Sequence, residues 1–238
     1  MKKLILIVAV ILFSDIGFAQ TGEYVCPFIG ENILIDGNAD ENVWNNAIAV
    51  NFVANGKEEL KAHSWFKAVW DSKYLYFYFW IEDENIIGEM IGRDDHLWNE
   101  EVMEIFLDAD CNPKTYYEFE WNPKNTLLDL FVLNPNCKRD GICQWWSWDC
   151  KGIKSVVKIE GTLNNSDDTD RGWSLEVAIP FSQIQTSLNI PPKSNDIWRF
   201  DLTRREGIEN DGTLQKSSWI PPSCHLPLSY GKLIFKKE

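Results

Sequence analysis

The segment at residues 74–83, YLYFYFWIED, constrains the fold most, because both of its faces are apolar. Successive side chains of a β-strand point to opposite sides of the sheet. The two alternating sets are Tyr74, Tyr76, Tyr78 and Trp80, and Leu75, Phe77, Phe79 and Ile81. A strand of this kind needs cover on both faces, which is typical of a strand in the middle of a β-sandwich.

About ten short strand-like segments, separated by turn signals, extend along the chain. They begin at residues 32–36 and end at residues 230–235, and several alternate apolar and polar residues. Asp40 is expected to cap one short helix that runs through Ala47. With almost no other helical pattern, the sequence predicts an all-β fold, an antiparallel β-sandwich with one short helix near the N-terminus.

Residues 1–19 have the pattern of a signal peptide. Lys2 and Lys3 precede an apolar run at residues 4–13, which is too short to span a bilayer. Small residues at Gly17 and Ala19 predict cleavage near Ala19. We therefore expect residues 20–238 to form a single domain that is exported to the periplasm or the extracellular space, without membrane insertion.

The net charge of −13 limits the kinds of partner. Phosphates of nucleic acid and anionic membrane surfaces would be repelled. Neutral ligands and divalent cations remain compatible with this charge. The sequence specifies no protein partner.

The chain contains six cysteines, an even number, and an exported chain favours disulfides. They are Cys26, Cys111, Cys137, Cys143, Cys150 and Cys224. Six cysteines allow 15 pairings, among which sequence cannot choose. Our expectation is that Cys26 and Cys224 join the ends of the chain, and that the other four crosslink the loops around residues 111–150.

Candidate ligand-binding residues are concentrated at residues 93–112. Trp98 lies in a polar loop, where an exposed indole can stack on the apolar face of a sugar ring. Glu104 lies on the strand face opposite Met103 and Ile105, where a carboxylate can accept hydrogen bonds from hydroxyls. Asp108, Asp110 and Asn112 place oxygen ligands at alternate positions, as calcium loops do, although a plain polar turn has the same composition.

Four motifs together resemble the family 9 carbohydrate-binding modules, within a wider family 9-like group of DOMON-type, jelly-roll-like β-sandwiches. They are IDGNADENVW, WDSKYLYFYFWIED, DDHLWNEEVMEIFLD and GWSLEVAIPF, with HLPLSYGKLIF following the last of them. The resemblance implies non-catalytic binding of an oligo- or polysaccharide at its chain end, between two tryptophans. It also raises the expectation of a structural calcium ion.

The resemblance gives individual residues a role in carbohydrate binding. Trp98 matches the first stacking tryptophan, Glu104 matches a sugar-binding carboxylate, and Trp219 falls where the second tryptophan is expected. In the strand where the family supplies an arginine, this chain has YYEFE at residues 116–120. That departure leaves the identity of the sugar open.

Other interpretations of the same residues stay open. Some DOMON-type domains hold haem between Met and His, for which the candidates are Met90, Met103, His63, His96 and His225. A glycoside hydrolase would need a carboxylate pair, taken from Glu100, Glu101, Glu104, Glu118 and Glu120. A structural role on the same fold is a further alternative. Trp145, Trp146 and Trp148 either extend a sugar platform or, as we favour, form a plug packed by disulfides.

Overall fold

Two β-sheets pack face to face in the computed structural model, which describes residues 22–55, 60, 62–208, 214–221 and 224–237. The predicted leader, residues 1–19, lies outside the described residues. The strands are β1 (Glu23–Pro27), β2 (Val50–Asn51), β3 (Val53–Ala54), β4 (Ser64–Trp70), β5 (Tyr74–Glu82), β6 (Val102–Asp108), β7 (Thr115–Trp121), β8 (Leu127–Leu133), β9 (Cys143–Trp145), β10 (Lys154–Glu160), β11 (Gly172–Pro180), β12 (Ile197–Ile208), β13 (Leu214–Ser218) and β14 (Gly231–Lys236). Short 3-10 helices occupy Asn42–Asn46, Leu97–Asn99, Phe181–Gln183 and Pro227–Ser229.

The large sheet has the strand order β1-β14-β12-β6-β7-β8-β9, and β13 pairs with both β12 and β3. The small sheet has the order β10-β11-β5-β4-β2. Neighbouring strands pair antiparallel, except that β1 runs parallel to β14. The predicted antiparallel β-sandwich is therefore confirmed.

The predicted cover on both faces of β5 is also present. Leu75, Phe77, Phe79 and Ile81 are fully buried in the core between the two sheets. On the opposite face, Tyr76 and Tyr78 pack beneath residues 29–47, and the Trp44 ring lies 5.9 Å from that of Tyr78. A strand with two apolar faces thus fixes both the interior and the position of the N-terminal segment.

The N-terminal segment differs from its prediction in two details. The short helix is a single 3-10 helix, Asn42–Asn46, with Glu41 rather than Asp40 at its N-cap and no side-chain capping bond. Residues 32–36 do not form a strand. Side chains satisfy their backbone instead: Glu41 accepts from the Leu34 amide, and Glu176 accepts from the amides of Asp36 and Gly37.

The expected disulfides are absent from the structure, in which all six cysteines lie among the described residues. Cys26 is buried in the core between the sheets. Cys224 belongs to a separate apolar cluster, with Leu97 and Tyr230, on the outer face of the large sheet. The proposed Cys26–Cys224 bond is wrong, because the large sheet itself separates the two sulfur atoms.

No helix within the described part of the chain is both long and apolar enough to cross a membrane.

Candidate carbohydrate-binding site

Three glutamates project from the outer face of the large sheet and form what we call the carboxylate cluster: Glu104, Glu118 and Glu120. Glu104 in β6 lies directly opposite Glu120 in β7. Glu118 precedes Glu120 by two residues, so the strand alternation places it on the same face. None of the three is more than 2% exposed. Sheet register thus gathers three carboxylates at one protected position.

Arg205 connects this cluster to Trp98. Its Nε lies 3.2 Å from Glu104 Oε1, and its Nη1 donates a 3.2 Å hydrogen bond to the backbone carbonyl of Trp98. Charge-assisted contacts of this kind are stronger than neutral hydrogen bonds. Arg205, from β12, therefore fixes the positions of Trp98 and Glu104 relative to each other.

Trp98 contributes to an aromatic patch, which we define as His96, Trp98 and Trp146. The Trp98 ring stacks on His96, with centroids 4.5 Å apart and an interplanar angle of 19°. Trp146 lies 5.9 Å from Trp98 at 58° and is 37% exposed. The Trp98 and Trp146 rings are inclined to each other rather than forming two parallel walls, and Trp98 is partly buried against the apolar cluster on the outer face of the large sheet. An aromatic surface of this type can stack on the C–H face of a sugar ring.

The electrostatics of the cluster follow from burial. Burial raises the pKa of Glu118 to about 8, and the charge of Glu104 adds to the effect. Burial also raises the pKa of Glu120 well above its usual range. The pKa of Glu104 is raised by burial as well, although Arg205 opposes this. Glu118 and Glu120 therefore hold protons at neutral pH, while Arg205 favours the ionised form of Glu104.

His225 lies over the cluster without carrying charge. Its Nε2 is 3.7 Å from Glu118 Oε1, and its Nδ1 is hydrogen-bonded to the Tyr116 hydroxyl at 2.6 Å. Burial, together with Arg205 and Arg139, lowers the pKa of His225 to about 4. The imidazole is thus neutral at pH 7, and its contact with Glu118 is not an ion pair.

Trp219 is not at this site. It is 1% exposed in the core between the sheets, with its ring centroid 4.1 Å from that of Phe200 and 5.8 Å from that of Phe66. The prediction that Trp219 forms the second wall around a sugar is therefore wrong, because it has no face open to a ligand. Trp146, from the loop after β9, is the tryptophan that lies beside Trp98.

The tryptophans at positions 145, 146 and 148 have different environments. Trp148 packs against Tyr117, with ring centroids 4.9 Å apart, but the disulfides of the plug that we favoured for the three tryptophans are absent. Trp145 is 56% exposed at the edge strand, with its ring 6.5 Å from that of Phe131. Of these three tryptophans, Trp146 is the one whose ring lies against Trp98.

Met103 is excluded as a haem partner of His225. Its side chain is fully buried in the core between the sheets, whereas His225 contacts Phe106 and Tyr116 on the outer face. A haem held by both would have to pass through the large sheet.

Asp108, Asp110 and Asn112 lie at the end of β6, where calcium remains a prediction. Asp110 accepts from the Asn112 amide, and both Asp108 carboxylate oxygens are buried without a hydrogen-bond partner. Calcium takes six to eight oxygen ligands, so these side chains would supply only part of the set. No group of three or more His, Cys, Asp or Glu in the described residues is placed to hold a metal ion.

A calcium ion bound there would make the melting temperature fall with a chelator and recover when calcium is added back, because an ion that binds only the folded state stabilises it. The measurement is thermal unfolding of wild type beside Asp108→Asn. The variant should have lost this response. A wild-type melting temperature that does not change with chelator would contradict the prediction of a structural calcium ion.

Sequence reasoning missed two polar residues of the site. Arg205 comes from β12, and Gln144 in β9 donates to Glu118, which lowers the pKa of that carboxyl. The expected arginine position in β7 holds glutamates, and the guanidinium enters from β12 instead. The strand alternation of β12 could have placed Arg205 on the site face, but only after its pairing with β6 was known.

The fold and site together define a β-sandwich ligand-binding module. The chain belongs to the carbohydrate family 9 binding domain-like family, whose model matches residues 35–235. This confirms the resemblance drawn from the four motifs, and non-catalytic carbohydrate binding is the function that the family assignment gives to this domain.

The chain is also similar to individual proteins. The chain is 26% identical to endo-1,4-beta-xylanase A of Thermoanaerobacterium saccharolyticum over 213 residues. The aligned segment covers 89% of this chain but 16% of that enzyme. The chain thus spans about a sixth of that enzyme. An "Extracellular protein" of Arthroderma benhamiae is 28% identical over 172 residues, 69% of each chain.

A solved family 9 module from Caldicellulosiruptor kristjanssonii shares the fold. Its complex with cellotriose has a TM-score of 0.61 and 15% identity, covering 91% of this chain and 94% of that one. Its glucose complex has a TM-score of 0.60, with 15% identity and coverage of 91% and 96%.

Proposed function

We propose that this domain binds the end of an oligo- or polysaccharide, with a terminal sugar stacked on the aromatic patch and its hydroxyls directed to Arg205, which Glu104 holds in place. The observation that carries the proposal is the position of Arg205. It contacts both Glu104 and the Trp98 carbonyl, so the apolar surface and the polar groups form one rigid site. Rigid placement lowers the ordering cost of binding.

Export to the periplasm or the extracellular space belongs to the same proposal. Polysaccharides too large to cross a membrane are met outside the cytoplasm. The name of the Arthroderma benhamiae relative agrees with this location.

Binding fits the cluster better than hydrolysis does. A glycosidase places two carboxyl groups about 5 to 9 Å apart on either side of an accessible glycosidic bond. Here Glu104 and Glu120 face each other across a β6–β7 pair, and both are 1% exposed. Carboxyl groups enclosed in this way do not flank an open groove.

We expect Trp98→Ala to weaken saccharide binding by about tenfold or more, which corresponds to roughly 1.4 kcal/mol of lost stacking and apolar contact. Isothermal titration calorimetry with cellotriose and glucose measures the effect. These probes are chosen because the solved family 9 module holds them. Trp146→Ala should weaken binding in the same direction, since Trp146 lies against Trp98.

Trp145→Ala is the matched control, because this tryptophan is exposed but lies against Phe131 at the sheet edge. Its affinity should equal that of wild type, and circular dichroism should verify that all three variants are folded. Equal affinities for wild type and Trp98→Ala would place the site elsewhere. Absence of binding to every glycan tried would favour a structural or protein-partner role.

A further inference from the structure

Two segments carry the tryptophans of the aromatic patch, and one buried carboxylate contacts both of them. They are the Trp98 segment, residues 91–99, and the Trp146 segment, residues 146–153. Asp129, in β8, is fully buried. Its Oδ1 accepts a 2.5 Å hydrogen bond from Arg93 Nη2 of the first segment, and its Oδ2 accepts a 2.5 Å bond from the Cys150 amide of the second. Each carboxylate oxygen therefore anchors one segment.

Arg93 also joins the two segments directly. Its Nε lies 3.2 Å from Asp149 Oδ1 in the Trp146 segment, while its Nη2 remains on Asp129. Asp94, next to Arg93, accepts a 3.4 Å hydrogen bond from the Asp129 amide. A planar guanidinium with several donors is suited to contacts with more than one carboxylate. The two tryptophan segments and β8 are thus tied together at one point.

The relative position of Trp98 and Trp146 depends on such contacts. The two rings lie 5.9 Å apart, but they come from distant parts of the sequence, so local chain geometry cannot fix that distance. Asp149 and Cys150 follow Trp146 closely, and Arg93 precedes Trp98 by five residues. Contacts among these neighbours therefore set the geometry of the patch.

Resting on the proposed carbohydrate function, we propose that Asp129 and Arg93 are positioning residues of the saccharide site, a clamp that holds Trp146 against Trp98. They act through the two tryptophans. A patch whose rings are already in place loses less conformational freedom when a sugar stacks on it, so the clamp raises affinity.

Proton binding by Asp129 would weaken the clamp. Burial raises the pKa of Asp129 to about 6, although the Cys150 amide and Arg93 oppose the rise. A protonated carboxyl has lost the charge that attracts the guanidinium, and one of its oxygens has become a hydroxyl donor. Saccharide affinity should therefore be highest above this pKa and fall as the pH decreases through it. The titratable and charged groups that face Asp129 are Arg93, Asp94, Asp149 and Cys150.

The test is calorimetry of the whole chain with cellotriose, at about pH 7 and about pH 5, on either side of the pKa of Asp129. The variants are Asp129→Asn, which has the shape of the protonated acid, and Arg93→Gln. At the higher pH both should bind about fivefold or more weakly than wild type, because the rings are no longer held in place. Wild type should lose affinity at the lower pH, whereas Asp129→Asn should be equally weak at both. A loss of stability alone would not give this difference in pH profile.

A double variant tests whether the two residues form one clamp. Asp129→Asn combined with Arg93→Gln should bind no more weakly than either single variant, because each change already opens the same contact. Losses that multiply would contradict a shared clamp. Glu160→Gln, which removes a carboxylate from the surface ion pair with Arg171, is the control and should keep the affinity and pH dependence of wild type.

The outcomes separate this inference from the proposed function. Wild-type affinity for cellotriose that is equal at both pH values would overturn the clamp, even if a variant failed to fold. An Asp129→Asn protein with the pH dependence of wild type would also overturn it, and would assign that dependence to another group, such as His96 in the patch. Absence of cellotriose binding by wild type would overturn the proposed function as well.

Discussion

Trp219→Ala is expected to lower the free energy of unfolding by about 3 to 5 kcal/mol, the usual range for truncating a fully buried Phe or Trp. Trp219 fills the interior between the sheets, against Phe66 and Phe200. The gap cannot close easily, because Phe66 belongs to the small sheet and Phe200 to the large one. Chemical denaturation should show a lower midpoint with an unchanged dependence on denaturant concentration.

The same variant separates a packing role from a binding role. Under conditions where Trp219→Ala is folded, its affinity for cellotriose should match that of wild type, because Trp219 presents no face to a ligand. Trp145→Ala serves as the stability control, since its ring is largely exposed. A Trp219→Ala protein of wild-type stability that had lost saccharide binding would contradict the position described here.

Arg204→Ala is expected to cost a similar amount, about 3 to 5 kcal/mol, because it leaves buried acids without their cation. Arg204 extends from β12 in the large sheet and donates to Ser64 Oγ at 2.9 Å and to the Glu82 carbonyl in the small sheet. Its Nη2 also lies 2.9 Å from Glu206 Oε2 and 3.8 Å from Asp83 Oδ2. One guanidinium thus holds the two sheets together at this end of the sandwich.

Arg171→Ala is the matched control for a charge pair in water. Arg171 pairs with Glu160, but its side chain is 78% exposed. Exposed pairs contribute about 0 to 1 kcal/mol. Urea denaturation of both variants measures the difference. Equal losses for the buried and the exposed arginine would contradict the role assigned to Arg204.

The fold could be predicted because its signals are local. The two apolar faces of β5 and the alternation in β6, β10 and β11 each fix a strand within a few residues. The strands that the sequence missed are short or lie at edges, such as β2, β3 and β9, where two or three residues carry no readable period. Residues 32–36 appeared strand-like because apolar residues fill the middle of the segment, and Ile33 is indeed buried. Their backbone amides, however, donate to side chains such as Glu41 rather than to a neighbouring strand.

The site could be predicted only in part, since it depends on register between distant segments. Trp98 and Glu104 were found through local motifs, and the structure brings them together through Arg205. Trp219 and Trp146 are both tryptophans near turns, and nothing local distinguishes the buried one from the exposed one. The disulfide expectation failed for a similar reason, because composition does not reveal that Cys26 and Cys224 lie on opposite faces of one sheet.

The parallel pairing of β1 with β14 affects how the domain would respond to mechanical load. The two strands are aligned over five residue pairs, from Glu23 with Lys232 to Pro27 with Lys236. Tension applied at the start of β1 and the end of β14 would pull these strands in opposite directions along their length. Their hydrogen bonds would then have to break together in shear rather than one at a time, so this pairing would resist extension of the chain.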